Sequence, residues 1–147
     1  MVKKLFIASD HGGVELKASL VEFAREQGIE IQDLGPFSRD SVDYPDYAAK
    51  VARAVVDNEG TMGIAICRSG IGISISANKI KGARAALVCS LAMAELSRRH
   101  NDANIICFGA DFTDIEFAKQ AVLKFISTEF EGGRHAVRVE KMRKLEA

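Results

Sequence analysis

Residues 61–79 read TMGIAICRSGIGISISANK, and this run decides the fold. Residues 61–67 are apolar or small and end in Cys67, as suits a strand covered on both faces. Gly70 and Gly72 turn the chain, and residues 71–79 follow with the pattern of a helix. Strand, glycine turn and helix in succession are the unit of a parallel α/β sheet. The same alternation extends both ways. Upstream, residues 3–9 form a strand. Val14, Leu16, Leu20, Val21, Phe23 and Ala24 recur at helical spacing, and Gly28 ends that helix as a cap. Residues 29–34 form a second strand, closed by Gly35-Pro36. Tyr47, Ala48, Val51, Ala52, Val55 and Val56 line the next helix. Downstream, residues 83–89 and 103–108 are strands. Ser90 caps a helix over 91–99, and Ile115 to Ile126 line a long one. The tail from Gly133 is charged and helical in pattern, with too few apolar residues to fold back alone, so it is expected to reach a partner subunit. The expected fold is an α/β three-layer sandwich around a five-stranded parallel sheet, in one domain covering residues 1–147.

Composition narrows the function. The chain balances 20 basic against 20 acidic residues and is 48% hydrophobic. Such a surface has no overall charge to recruit nucleic acid or an anionic membrane. No apolar run approaches the ~20 residues of a membrane span. The opening MVKKLFIASD reads as a first strand rather than a signal peptide. Three separated cysteines with no CxxC pair suggest neither zinc nor a dithiol, and a reducing cytoplasm is the simplest setting.

In parallel sheets ligands collect at the carboxyl ends of the strands. That rule selects Asp10-His11, the loop from Cys67 to Gly72, Cys89-Ser90 and the turn after Phe108. Gly70 and Gly72 let a ligand approach the backbone, and a helix beginning there offers unpaired N–H groups to a phosphate or an oxyanion. An ordinary strand-to-helix turn is the plain alternative. The GxxxxGK[ST] pattern fails for want of a Gly-Lys pair. GxGxxG fails at Ile75, and the Cys-x5-Arg phosphatase pattern fails at Ile73. Cys67 lies where a helix N-terminus and Arg68 would favour a thiolate, fit to act as base or nucleophile. Cys89 and Cys107, in or beside apolar strands, read as buried structural thiols. His11 and His100 are acid–base candidates, with a solvated helix cap the plain reading of His100. The histidine spacing matches no metal motif, and no metal is expected. Arg134 and Arg138 share a helical face and could clamp a phosphate.

Five blocks in order carry a resemblance: SDHGG, VDYPDYA, GIAICRSGIGISISANK, RHNDANI and FEGGRHAVRV. Together they resemble the type B ribose-5-phosphate isomerases, relatives of the galactose-6-phosphate isomerase subunits, over almost the whole chain. The resemblance implies a Rossmann-like fold. It also implies a cytoplasmic aldose–ketose isomerase of the pentose phosphate pathway that needs no cofactor or metal. Homodimers or dimers of dimers are expected, with active sites between subunits. By the resemblance Cys67 is the base that moves a proton between sugar carbons 1 and 2, and Ser69 supplies a relaying hydroxyl. The amides of Gly70, Ile71, Gly72, Ile73 and Ser74 form an anion hole. His100 opens the furanose ring, with Asn101 beside it, from the neighbouring subunit. Asp10 and His11 bind substrate, Arg134 and Arg138 clamp its phosphate, and Tyr44 lines the pocket. Two positions depart from the pattern. Arg68 replaces a small residue, usually glycine. Asp111 stands where many relatives carry an arginine near the phosphate. Rival readings are the same chemistry on allose 6-phosphate or galactose 6-phosphate, a non-catalytic sugar-phosphate sensor, or a thiol redox protein.

Overall fold

The computed structural model describes residues 2–146. Five strands, β1 (Lys4–Ser9), β2 (Ile31–Asp33), β3 (Thr61–Cys67), β4 (Ala85–Leu87) and β5 (Ile105–Gly109), form one sheet in the order β2-β1-β3-β5-β4. All neighbours pair in parallel. Six α-helices connect or follow them: α1 (Val14–Glu26), α2 (Tyr44–Asp57), α3 (Ile71–Ala77), α4 (Leu91–Asn101), α5 (Ile115–Ser127) and α6 (Arg134–Arg143). The expected α/β sandwich is therefore observed. The outer strands β2 and β4 are shorter than the sequence suggests, because each has a pairing partner on one side only.

Alternation along the central strands sorts the core into two layers. Leu5, Ile7, Ile64, Ile66, Ile106 and Phe108 face α1 and α5. Phe6, Ala8, Ala65, Cys67, Ile105 and Cys107 face α2 and α3. The second face carries smaller side chains on β3, so α2 approaches the sheet closely there. Gly63 marks the tightest point: a Cβ on it would stand 2.6 Å from Val51 Cγ1 and 3.0 Å from Val55 Cγ2. At the sheet's β2 edge, the buried Lys17 Nζ donates to Asp33 Oδ1 at 2.6 Å and to the Pro36 carbonyl at 2.9 Å. This contact fastens α1 to the start of the long β2–α2 connection.

Two expectations need correction. Cys89 is exposed rather than buried, because β4 ends at Leu87 and the residue falls in the turn before α4. The charged tail folds back on its own chain: α6 buries His135 and Val139, and Glu146 Oε1 accepts the Gly82 N–H at 3.0 Å.

Close packing of α2 on β3 has a measurable consequence. Gly63→Val should lower folding stability by roughly 1–3 kcal/mol, since overpacking a filled core outweighs the better strand propensity of valine. Urea unfolding at fixed protein concentration reads this directly, and an unchanged midpoint would contradict the packing described.

Candidate active site

The strand order reverses direction between β1 and β3, and the carboxyl ends of these two strands form the crevice where open α/β sheets bind ligands. Asp10 ends β1 there, tied by its N–H to the Ile66 carbonyl at 2.9 Å. Its carboxylate accepts the Gly12 N–H, also at 2.9 Å, and so caps the short turn that holds His11. The β2–α2 connection reaches over this turn: the Val42 N–H donates to His11 Nδ1 at 3.2 Å. An accepting Nδ1 leaves the proton on Nε2, so the free edge of this ring is a donor.

Cys67 ends β3 next door. Its Sγ accepts the Gly70 N–H at 3.1 Å, which fixes the thiol inside the turn. The turn closes because Gly70 adopts φ +77°, in the left-handed region, with Phe108 and Gly109 backbone and Leu87 crowding the place a Cβ would occupy. Ser69 Oγ accepts the Ile71 N–H at 3.2 Å, so its hydroxyl proton stays free to donate elsewhere. The Ser74 N–H is spent on the Gly70 carbonyl. Of the expected anion hole at Gly70, Ile71, Gly72, Ile73 and Ser74, the amides of Gly72 and Ile73 are the ones left free among the described residues. Tyr44, at the start of α2, lays its ring against Gly72: a Cβ there would meet Tyr44 Cε1 and Cζ at 2.5 Å. The Tyr44 ring and the first turn of α3 thus lie side by side. On the same face Cys107 is fully buried, and burial, with the neighbouring Cys67 adding to it, pushes its thiol up. Cys107 stays protonated and inert.

His100, Asn101, Arg134 and Arg138 are elsewhere. Helix α4 starts beyond the carboxyl end of β4 and runs back for 11 residues, about 16 Å at the helical rise, to the amino end of β5. His100 and Asn101 therefore lie at the opposite edge of the sheet from Cys67. Asp102 turns the chain there at φ 46°, held by Arg98 at 2.9 Å and Arg84 at 3.2 Å. The tail is anchored at the same edge by the Glu131 N–H to Arg99 carbonyl bond and by Glu146 on Gly82. Within one chain the structure gathers Asp10, His11, Tyr44, Cys67, Ser69 and the α3 amides at one end, and His100, Asn101, Arg134 and Arg138 at the other.

The second group holds residues that sequence reasoning missed. His135 stacks on His100, with ring centroids 4.1 Å apart and planes 13° from parallel. Glu131 Oε1 lies 3.9 Å from His135 Nε2, and its Oε2 lies 4.0 Å from His100 Nε2 and 3.0 Å from Arg99. Burial, then the charges of His100 and Arg134, push His135 down, which keeps it neutral. Burial raises Glu131, but the Arg99 hydrogen bond and charge outweigh it and hold the carboxyl below its ordinary range. The ligand atoms of His100, Glu131 and His135 lie within 4.8 Å of one another, a spacing that could hold a metal ion. Arg99 occupies the carboxylate, however, and Arg134 and Arg138 oppose a further cation. The block GGRHAVR carried the signal for this cluster, because His135 is three residues before Arg138.

The two departures from the expected pattern meet in space. Arg68 Nη1 lies 3.5 Å from Asp111 Oδ1, and the Asp111 N–H donates to the Arg68 carbonyl at 3.0 Å. Asp111 is therefore paired with a guanidinium rather than left to repel an anion.

The chain is similar to known proteins over nearly its whole length. The family model described as Ribose/Galactose Isomerase matches residues 5–142. The ribose-5-phosphate isomerase B of Escherichia coli strain K12 is 43% identical over 145 residues, covering 99% of this chain and 97% of that protein. A solved structure of ribose 5-phosphate isomerase B from Anaplasma phagocytophilum superposes with a TM-score of 0.91 at 48% identity, covering 96% of this chain and 97% of that one. The Mycoplasma genitalium ribose-5-phosphate isomerase B with bound ribulose-5-phosphate superposes with a TM-score of 0.94 at 39% identity, covering 99% and 97%. By sequence and by fold, the chain belongs to the ribose/galactose isomerase family.

Proposed function

We propose that this protein interconverts ribose 5-phosphate and ribulose 5-phosphate through an enediolate, in active sites built by two copies of the chain. The observation that carries the chemistry is the single turn that holds a thiol and free amides together. The proton beside a sugar carbonyl is weakly acidic. Removing it needs a base within hydrogen-bond reach and donors aimed at the oxygen where charge develops. Cys67, as thiolate, takes the proton from one carbon and returns it to the next. The Gly72 and Ile73 amides bind the enediolate oxygen, and the Ser69 hydroxyl passes protons between the two oxygens. The bonding electrons stay within the sugar, so the step needs no redox partner. Asp10 and His11 bind sugar hydroxyls, and Tyr44 walls off water.

The remaining roles require a second copy. His100, with Asn101 beside it, opens the furanose ring, and Arg134 and Arg138 receive the phosphate. One chain holds these groups a helix length away from Cys67, whereas a two-fold partner can lay its own set across the crevice. Ile71 and Ile75, on one face of α3 beside the crevice, are 54% and 55% exposed, as an unpaired interface would be. The reaction class and the lack of a membrane-spanning helix among the described residues fit a cytoplasmic enzyme.

The reading is tested by assaying ribose 5-phosphate turnover with a chelator present. Wild type should isomerise ribose 5-phosphate in preference to allose 6-phosphate and galactose 6-phosphate. Cys67→Ala should lose roughly 10²-fold or more in kcat, the usual effect of deleting a general base. Full activity in that variant would refute the base assignment. Separately, Arg134→Ala and Arg138→Ala should each raise KM by about tenfold or more, since each removes a charged hydrogen bond to phosphate. An unchanged KM in both would place the phosphate elsewhere.

A further inference from the structure

We infer that Arg68 is a phosphate-contacting residue of the substrate site, its guanidinium laid across Gly12 and steadied by Asp111. The inference rests on the isomerase reading and adds a binding group to it. Side chains alternate along a strand, so Arg68 leaves the end of β3 on the face opposite Cys67. It crosses the turn after β1: a Cβ on Gly12 would stand 2.5 Å from Arg68 Cγ and 3.1 Å from its Nε. A side chain at position 12 would have to displace this arginine.

Its charge is only partly spent. The 3.5 Å separation from Asp111 exceeds the ~2.7–2.9 Å of a charge-assisted bond, and both side chains are more than half exposed. Asp111 sets the direction of the guanidinium and leaves donors over. Those donors border a cleft of about 290 Å³ shared with His11 and Arg39. The acids that line or border the cleft are engaged: Glu15 by Arg39 at 2.7 Å, Asp10 by the Gly12 N–H, Asp111 by Arg68 itself. His11 contributes its Nε2 donor. The Arg68 guanidinium and the His11 donor, beside an Arg39 whose charge Glu15 balances, suit an oxyanion such as a phosphate monoester. The cleft would thus meet the same phosphate that the partner's Arg134 and Arg138 approach from across the interface.

The test compares wild type, Arg68→Ala and Arg68→Lys by three measurements. These are KM and kcat for ribose 5-phosphate, the inhibition constant of inorganic phosphate, and calorimetric titration with inorganic phosphate. The expected result for Arg68→Ala is a rise of about tenfold or more in KM and in both phosphate constants, with a much smaller change in kcat. Arg68→Lys should recover part of the loss, because it keeps the charge without the fork. Phosphate constants within twofold of wild type in both variants would overturn the proposal. It would equally be overturned if kcat and the pH profile of Cys67 alkylation changed while the phosphate constants did not, since Arg68 would then act on the thiol. The titration needs no turnover. If wild type failed to isomerise ribose 5-phosphate, the calorimetric comparison would still decide the role of Arg68.

Discussion

All five strands run the same way, so the sheet has two unlike edges, and everything about the site follows from which edge a residue occupies. The carboxyl edge collects Asp10, His11, Cys67, Ser69 and the first turn of α3. The amino edge receives His100 and Asn101 because α4 must run back to begin β5, and it receives Arg134 and Arg138 because the tail is anchored there. Parallel pairing makes this separation unavoidable within one chain. A chain built this way holds the proposed base and oxyanion hole at one end and the proposed ring-opening histidine and phosphate clamp at the other.

The carboxyl edge works only because its backbones approach closely. Gly70 takes a left-handed conformation with β5 backbone where its Cβ would be, and Gly109 is pressed as tightly against the backbone of Ser69. These two glycines let the β3 loop fold over the end of β5, which brings the Gly70 N–H to the Cys67 sulfur. Small residues on one face of β3 serve the same end lower down, where α2 presses on Gly63. Packing and chemistry are therefore continuous: the helix that overlies Ala65 and Gly63 is the one whose first residue, Tyr44, covers the α3 amides.

Much of the fold was legible because periodicity reports burial directly. Continuous apolar runs along residues 61–67 and 103–108, and helical spacing in α1, α2 and α5, left little freedom in assigning elements. Cys89 was misread because an apolar run does not reveal that its strand is a short edge strand ending two residues earlier. The carboxyl-edge site was legible through the strand-end rule. The pairing of Arg68 with Asp111 was not, since the two are far apart in sequence and only the adjacency of β3 and β5 brings them together. The His100–His135 stack was hidden for a similar reason: α6 returns to α4 through a tail whose composition suggested contact with a partner subunit.

The central claim is that each active site takes its base from one chain and its ring-opening histidine from another. Subunit exchange between Cys67→Ala and His100→Ala chains tests it most directly. Random pairing makes half the dimers mixed, and each mixed dimer keeps one intact site of two. The mixture should therefore recover about a quarter of wild-type ribose 5-phosphate isomerase activity, from parents that are nearly inactive. Activity that never rises above the sum of the separate variants would contradict the shared site and place His100 and Cys67 in unrelated functions.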